Sequence, residues 1–489
     1  MGVRTGTDYL KRLRDHSSQV WLRGERVDDV TTHPSLERIA STIASLYDLQ
    51  HDPAHRDVLT YVEEESGEAC ATAFMMPRSY DDILKRGEAF RLYAERTLGL
   101  VGRTPDFLNT MLMAFAGSLE VFEEMGPTYA ENLQRYFRYV RDNDLFLTHA
   151  LVTPQTDRSK PPSQQRGEFL HMGVVRETDE GLVMRGARML ATLGPVADEV
   201  LVFSLPGLRP GDEAFSSVFG LPLDTPGVKL ICREPHGDGG RSAFDHPLAV
   251  NFDETDALLV FDDVLVPWER VFIHNNVELA NALYPRSNLR NHTAHQTSIR
   301  GLVKMQFTVG VAMAIADAVK IDGFLHIQQK LGECISNLEL IKSAIVRAEV
   351  EHDELEGGFV RASLAPLEAL RGFLPFAYAR AIEVLQTLGA GGLIMLPTAE
   401  DFGSEIAADV NRYYQGASGM RGLDRTRLFK IAWDLAGDAF GTRQLQYERY
   451  YVGDPVRILA RTFLAYDRAE CQKLVDYAVA LAGDPEPST

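Results

Sequence analysis

The feature that most constrains this chain is a double change in hydrophobic period. Apolar residues recur at helical spacing up to about residue 150, give way to short β-branched runs as far as about 275, then return to helical spacing almost to the end. Over 35–49, Leu36, Ile39, Ile43 and Leu46 share one stripe, and 106–122 and 129–142 repeat the theme, with Asp106 behind Pro105 as a first-turn acid. In the middle, 173–175 runs through the turn-rich 177–181 into 182–184 as a hairpin, and 200–205, 228–234 and 257–261 read as short strands. Beyond Pro285, the stretches 293–322, 331–355, 363–388, 426–449 and 456–482 are long and apolar-periodic, which predicts an antiparallel bundle. The last seven residues, 483–489, read as a tail. The prediction is a mainly α chain with a central β domain: an N-terminal helical domain over 1–150, a β barrel or sandwich over 151–280 and a helical bundle over 281–489. The bundle carries more apolar surface than one protomer covers, which predicts a homo-oligomer.

Charge and cysteines narrow the class. With 50 Lys and Arg against 69 Asp and Glu the formal charge is −19, which argues against nucleic acid or an anionic membrane as the main partner. Cys70, Cys232, Cys334 and Cys471 are scattered without metal-ligand spacing, and a chain this size has no need of a disulfide framework. The first residues are polar with no apolar core of a secretory signal, and no run approaches 18 uninterrupted apolar residues. The expectation is a cytoplasmic protein without bound metal or a membrane span.

The densest local group of polar chemistry is the segment 148–160, THALVTPQTDRSK, at the boundary between the helical and strand-rich regions. It places His149, Pro154, Gln155, Thr156, Asp157, Arg158, Ser159 and Lys160 on a connection between packed layers, where a rigid scaffold can aim them. Composition alone reads it equally well as a solvated loop.

Six further segments settle the balance: Thr5-Gly6-Thr7-Asp8-Tyr9-Leu10, Val30-Thr31-Thr32-His33-Pro34, Gly102-Arg103-Thr104-Pro105-Asp106, the run FDDVLVPWER over 261–270, Tyr447-Glu448-Arg449 and Gly453-Asp454-Pro455. In that order the chain resembles the 4-hydroxyphenylacetate 3-hydroxylase family over nearly its whole length. The resemblance implies an acyl-CoA dehydrogenase-like fold with a middle β-barrel and a C-terminal four-helix bundle, assembled as a homotetramer (a dimer of dimers). It implies the oxygenase component of a two-component monooxygenase, which hydroxylates an aromatic, phenolic substrate through a C4a-hydroperoxyflavin. Molecular oxygen is the co-substrate, and FAD arrives as FADH2 from a separate NAD(P)H:flavin reductase. No G-x-G-x-x-G follows a strand here, so the nicotinamide is expected to bind that reductase instead.

Site residues follow from the same resemblance. Gln155, Thr156, Asp157, Arg158 and Thr192 match flavin-holding positions, as do Gly453, Asp454 and Pro455. Gln386 with Gly389, Gly391 and Gly392 resembles the glycine-rich turn of the wider dehydrogenase-like fold, although each glycine taken alone reads as a helix cap. Arg103 and His149 are implied to polarise a phenol oxygen, with Phe203 and Ser204 on the substrate side. Phe107 stands where relatives acting on simple phenols carry Tyr, so a hydroxyl donor is missing, and a site built around that bond discriminates by about 10⁴ or more. His292 and His295 share a helix face, and His295 matches the place of a catalytic base in halophenol-hydroxylating relatives. Alternatives remain open. One is oxygenation of a specialised amine or heteroaromatic substrate in a biosynthetic pathway. Another is an acyl-CoA dehydrogenase-type oxidoreductase, whose carboxylate base no motif here assigns. The iron–sulfur dehydratase branch is set aside, because 103–105 offers no cysteine where cluster ligands belong.

Overall fold

A computed structural model describes residues 2–238 and 240–482, so the expected tail at 483–489 lies outside the described residues. The strand-rich region forms two sheets. The larger runs in the order Glu25–Val27, Val20–Leu22, Val228–Cys232, Asp256–Pro267, Gly181–Thr192, Gly173–Glu177; the smaller runs Val271–Ile273, Val218–Pro222, Glu199–Val202, Leu147–Ala150. Val200, Val202 and Phe219 of the smaller sheet share one core with Leu182, Leu230 and Leu259 of the larger. The middle of the molecule is thus a pair of packed sheets, and the expected barrel closure is not seen among the described residues. The predicted hairpin is present, with Gly173–Glu177 antiparallel to Gly181–Thr192. In the smaller sheet Leu147–Ala150 and Glu199–Val202 run parallel with His149 opposite Leu201. Both strands therefore deliver their C-terminal ends, and the residues that follow, to the same edge.

The first 150 residues are not helical throughout. Val20–Leu22 and Glu25–Val27 form a hairpin that joins the larger sheet through parallel pairing of Val20 with Leu230. Thr60–Val62 pairs with Ala69–Ala71. The helices there start as their sequences dictate: Thr5 caps Gly6–Asp15 by accepting from Asp8 N at 3.1 Å while Asp8 accepts from Thr5 N at 3.0 Å.

Three long predicted helices are each two. The 106–122 stretch divides into Pro105–Ala116 and Leu119–Glu123, because Ser118 Oγ turns back to Ala114 O at 3.0 Å. The 426–449 stretch divides into Gly422–Ala436 and Ala439–Tyr450: a Cβ on Gly437 would collide with the Trp433 ring, and Asp438 caps the second helix at Phe440 N, 3.1 Å away. The 456–482 stretch divides into Pro455–Ala465 and Ala469–Ala482. Leu289–Ala318, Leu325–Val350, Leu364–Gly389 and the Gly422–Ala436/Ala439–Tyr450 pair pack as a four-helix bundle around Met305, Ile315, Ile341, Leu374, Leu385 and Phe429. Leu289–Ala318 is long and apolar enough to cross a membrane by length and composition, but 67% of its most apolar stretch is buried inside the protein, as in a bundle's central helix.

Candidate active site

Arg103 sits just ahead of the helix Pro105–Ala116, on a turn held from outside the segment. Glu254, fully buried, accepts from Gly102 N at 2.7 Å and Arg103 N at 2.9 Å through the same oxygen. The guanidinium donates to Tyr447 Oη at 2.6 Å, Gly102 O at 3.3 Å and Tyr451 O at 3.2 Å, and lies 4.1 Å above the Phe107 ring. None of these partners is a carboxylate, and its Nε is buried without a partner. Gly102 is required here, since any Cβ would overlap the Tyr447 hydroxyl. His149 meets the same Phe107 ring edge-on, 6.1 Å between centroids, and its Nδ1 is buried without a partner. Burial, then the Arg103 charge, pushes the imidazole down to about 3, so it is neutral at any physiological pH. Arg103, Phe107 and His149, 46 positions apart from first to last, are one cluster.

Phe203 is fully buried in the apolar group that also contains Phe107, edge-on to Phe115 at 5.4 Å. Ser204 accepts from Arg188 Nη2 at 2.8 Å and donates to Phe215 O at 3.2 Å. Arg188 also donates to Leu151 O at 3.1 Å, so it ties together the chain following the two parallel strands. Burial alone lowers this guanidinium to about 10.

A buried ionic layer backs the cluster. Arg300 and Lys304 of the central helix share Glu448, at 2.6 and 2.8 Å, and Lys304 also donates to Gln444 at 2.5 Å. Burial would raise the Glu448 carboxyl, but the two cations outweigh it and bring it to about 2; burial lowers Lys304 to about 8 against the pull of Glu448. Arg443 bonds Glu254 at 2.6 Å and Asp256 at 2.9 Å, and Arg233 bonds Asp256 and Asp253. Tyr447 and Glu448 entered the sequence reading only as a family motif without a role, and Glu254, Asp256 and Arg443 did not enter it.

Of the positions expected to hold flavin, Thr192 ends its strand with its hydroxyl 2.8 Å from Asp256 Oδ1, while its carbonyl accepts from Thr148 Oγ1 at 2.7 Å. Gln155, Thr156, Asp157 and Arg158 form an exposed loop bonded mainly to itself: Thr156 to Gln165 at 2.7 Å and Asp157 to Ser159 at 2.6 Å. Among the described residues His171 tethers it inward, through Pro154 O at 3.1 Å and Thr156 Oγ1 at 3.3 Å. Gln386 donates to Ala436 O at 2.6 Å, Gly389 ends its helix against Leu393, and Gly453 turns with φ 110° into open space before Asp454 caps Pro455–Ala465. These last positions serve helix ends in the isolated chain.

His295 is paired with Glu349: its Nε2 is 2.9 Å from Glu349 Oε1 and its ring is edge-on to Phe90. The adjacent residue, Gln296, is the one turned toward the Pro105 helix, donating to buried Asp106 at 3.0 Å. His292 is buried, and burial holds it well below its usual range. Two open surface hollows, about 350 Å³ beside His33 and about 440 Å³ beside Tyr413, include none of the site residues. His246, Asp434 and Asp438 lie close enough to share an ion, but Arg241 bonds Asp438 and the Leu248 and Ala249 amides bond Asp434, so the acids are already used.

Residues 5–273 match the model of the 4-hydroxyphenylacetate 3-hydroxylase N-terminal domain and 280–480 that of its C-terminal domain. The chain is 43% identical over 466 residues to a 4-hydroxyphenylacetate 3-monooxygenase oxygenase component of Thermus thermophilus, covering 95% of each. It is 37% identical over 478 residues to one from Geobacillus sp., covering 97% of this chain and 96% of that one. A crystal structure of such an oxygenase component complexed with FAD and 4-hydroxyphenylacetate superposes with a TM-score of 0.93 at 41% identity, over 98% of this chain and 99% of that one.

Proposed function

The chain belongs to the 4-hydroxyphenylacetate 3-hydroxylase family, and from that premise we propose how its own residues serve the chemistry. It is the oxygenase component of a flavin-dependent monooxygenase that hydroxylates an aromatic substrate, with FAD as cofactor and oxygen as co-substrate. Bound in reduced form, FAD supplies the electrons that divide O2 between the new ring hydroxyl and water. The residues fit such a group. Thr192 has a hydroxyl at the end of a strand, Gln155 and Arg158 lie exposed on their loop, and Gly453 borders open space. In this reading Thr192 meets the flavin ring edge, Gln155–Arg158 and Gly453–Pro455 follow the rest of the cofactor, and Gln386 with Gly389 completes the binding surface, within domains at 1–150, 151–280 and 281–489.

One observation carries the substrate side. Arg103 is a buried guanidinium without a carboxylate, and it shares the Phe107 ring with an imidazole whose Nδ1 has no partner. Leaving such groups unbonded is costly, so they await a ligand. A phenol oxygen satisfies both: neutral His149 takes the hydroxyl hydrogen bond, and Arg103 stabilises the negative charge that makes the ortho carbon nucleophilic. Ser204 and Phe203 wall the far end. His295, engaged by Glu349 and Phe90, has no part in this reading. Supplying reduced FAD and oxygen with a panel of phenols, aryl amines and heteroaromatics tests it. Hydroxylated product from a phenol is expected, and a chain that neither binds reduced FAD nor forms product sinks the reading.

Phe107 favours a second, narrower reading: a specialised substrate in place of a simple phenol, either free or tethered to a carrier. With Arg103 and His149 already aimed at the oxygen the site is not built around that one bond, so Phe107→Tyr should raise kcat/KM on simple phenols by about tenfold, the worth of one recovered hydrogen bond, and not by the larger factor. No gain would return Phe107 to mere packing.

Partners follow. Reduced flavin comes by diffusion from an NAD(P)H:flavin reductase. The exposed apolar side chains of the last two helices, Val456, Phe463, Leu464, Leu474 and Tyr477 among them, support a homotetramer, which light scattering on the purified protein would measure. Four free cysteines suit a reducing, cytoplasmic setting.

A further inference from the structure

Leu190 and Leu193, on either side of Ala191 and Thr192, hold left-handed backbone with φ 63° and 59°. Leucine seldom adopts that conformation, and two instances within four residues mean the surroundings dictate where Thr192 points. The chief of those surroundings is Asp256. Thr192 Oγ1 is 2.8 Å from Asp256 Oδ1, which also accepts from Arg443 Nη2 at 2.9 Å; Oδ2 accepts from Arg233 Nε at 3.0 Å, Arg443 Nη2 at 3.1 Å and Arg443 Nε at 3.2 Å. Burial alone would favour a neutral Asp256, but Arg443 and Arg233 outweigh it and hold the carboxyl well below the usual range. A carboxylate has only lone pairs to offer, and a threonine hydroxyl has a single proton. That proton is committed to Asp256, so Thr192 Oγ1 shows only lone pairs to whatever binds against it.

We infer that Asp256 is a positioning residue that makes Thr192 an obligate acceptor, and so selects reduced flavin over oxidised flavin. The inference rests on the reading that Thr192 meets the flavin ring edge. Among the polar atoms of that edge, N5 exchanges roles: it carries an N–H in the reduced ring and a bare lone pair in the oxidised ring, as N1 also does between FADH2 and FAD, while N3–H and the carbonyls keep theirs. An obligate acceptor bonds the reduced N5–H and sets lone pair against lone pair in the oxidised form. Arg443 extends the arrangement, because the guanidinium that fixes Asp256 also fixes Glu254, and Glu254 holds the Arg103 turn. The orientation of the flavin-side hydroxyl and the placement of the substrate-side cation have a common anchor.

Asp256→Asn inverts the hydroxyl. With its NH2 toward Thr192 the amide opposes one arginine donor, Arg443 Nη2; the reverse orientation opposes three, Arg233 Nε, Arg443 Nε and Arg443 Nη2. The first is favoured, the amide then donates to Thr192 Oγ1, and the threonine proton turns toward the ligand. Dissociation constants for FAD and, anaerobically, FADH2 should be measured for the wild type, Asp256→Asn, Thr192→Val and the double variant. The ratio of the oxidised to the reduced constant should fall about tenfold or more in each single variant. Asp256→Asn should add nothing in the Thr192→Val background. A wild-type preference unmoved by either substitution, or an Asp256→Asn effect undiminished without the hydroxyl, overturns the inference and leaves the function standing. A wild type that binds neither form overturns both. Should Asp256→Asn fail to fold, Thr192→Val decides alone, since an unchanged ratio there is enough to reject the idea.

Discussion

Around Arg103 every anchor lies inside the fold, whereas the four residues 155–158, proposed to meet the flavin, bond almost entirely to their own loop. The contrast follows from what each side must hold. A guanidinium taken out of water without a carboxylate has to be over-determined by its surroundings, and here Glu254, Tyr447 and Tyr451 do that from 151, 344 and 348 residues away. A loop that meets a cofactor with its own phosphates and ring donors can stay solvated until the cofactor arrives. In the proposed reading the substrate side is preorganised by folding, and the flavin side is completed by binding.

The largest effect should come from removing the deepest anchor. Glu448→Ala leaves Arg300 and Lys304 buried beside each other, and breaking such a pair by deleting one partner costs about 3–5 kcal/mol. Denaturant midpoints would measure it, and a loss under about 1 kcal/mol would mean the inner layer does not hold the site as argued. Next is Arg103→Ala, which removes the charge proposed to face the substrate oxygen. Turnover with reduced FAD should drop about 10²–10³-fold while FADH2 affinity stays put. Comparable losses in both would erase the division between the two sides.

The bundle, the hairpin at 173–184 and the grouping of Arg103, Phe107 and His149 were legible from periodicity and short motifs, because each is either local or part of a matched family segment. Glu254 and Asp256 were not. They stand in the run Asp253-Glu254-Thr255-Asp256, which looks like a solvated acidic turn, and the arginine that makes them interior, Arg443, is 189 and 187 residues away. The hairpin at 20–27 was missed for a different reason: two three-residue strands show no period, and only the left-handed Arg23-Gly24 turn (φ 52° and 83°) betrays them. Whether the middle strands close into a barrel or form two sheets depends on pairing across the chain, which no local pattern encodes.

A smaller effect separates two buried groups of the preorganised side by pH. His149 falls from 6.5 to about 3 through burial and Arg103, so between those values the unfolded chain binds more protons and stability rises with pH. Asp106 is raised by burial from 3.8 to about 6, so over that window the native state binds more protons and stability falls as pH rises. The two slopes oppose each other between about 4 and 6. His149→Asn removes the first, so the variant's stability relative to wild type should improve steadily as pH falls below 6.5. A difference independent of pH would mean His149 is not held neutral.

The smallest effect on stability belongs to the flavin-side loop, and it is also the sharpest test of the contrast. Gln155 is exposed and has no hydrogen bond among the described residues. Exposed substitutions away from caps and networks change stability by about 0.5 kcal/mol or less, so Gln155→Ala should leave the thermal transition of the unliganded chain in place. Its partner in this reading is the cofactor, so the FADH2 dissociation constant should rise about three- to tenfold, the loss of one hydrogen bond. The transition of the FADH2-bound protein should fall correspondingly, because ligand stabilisation scales with the logarithm of saturation. If the unliganded transition drops instead, the loop is already built into the fold, and both sides of the site would be preorganised alike.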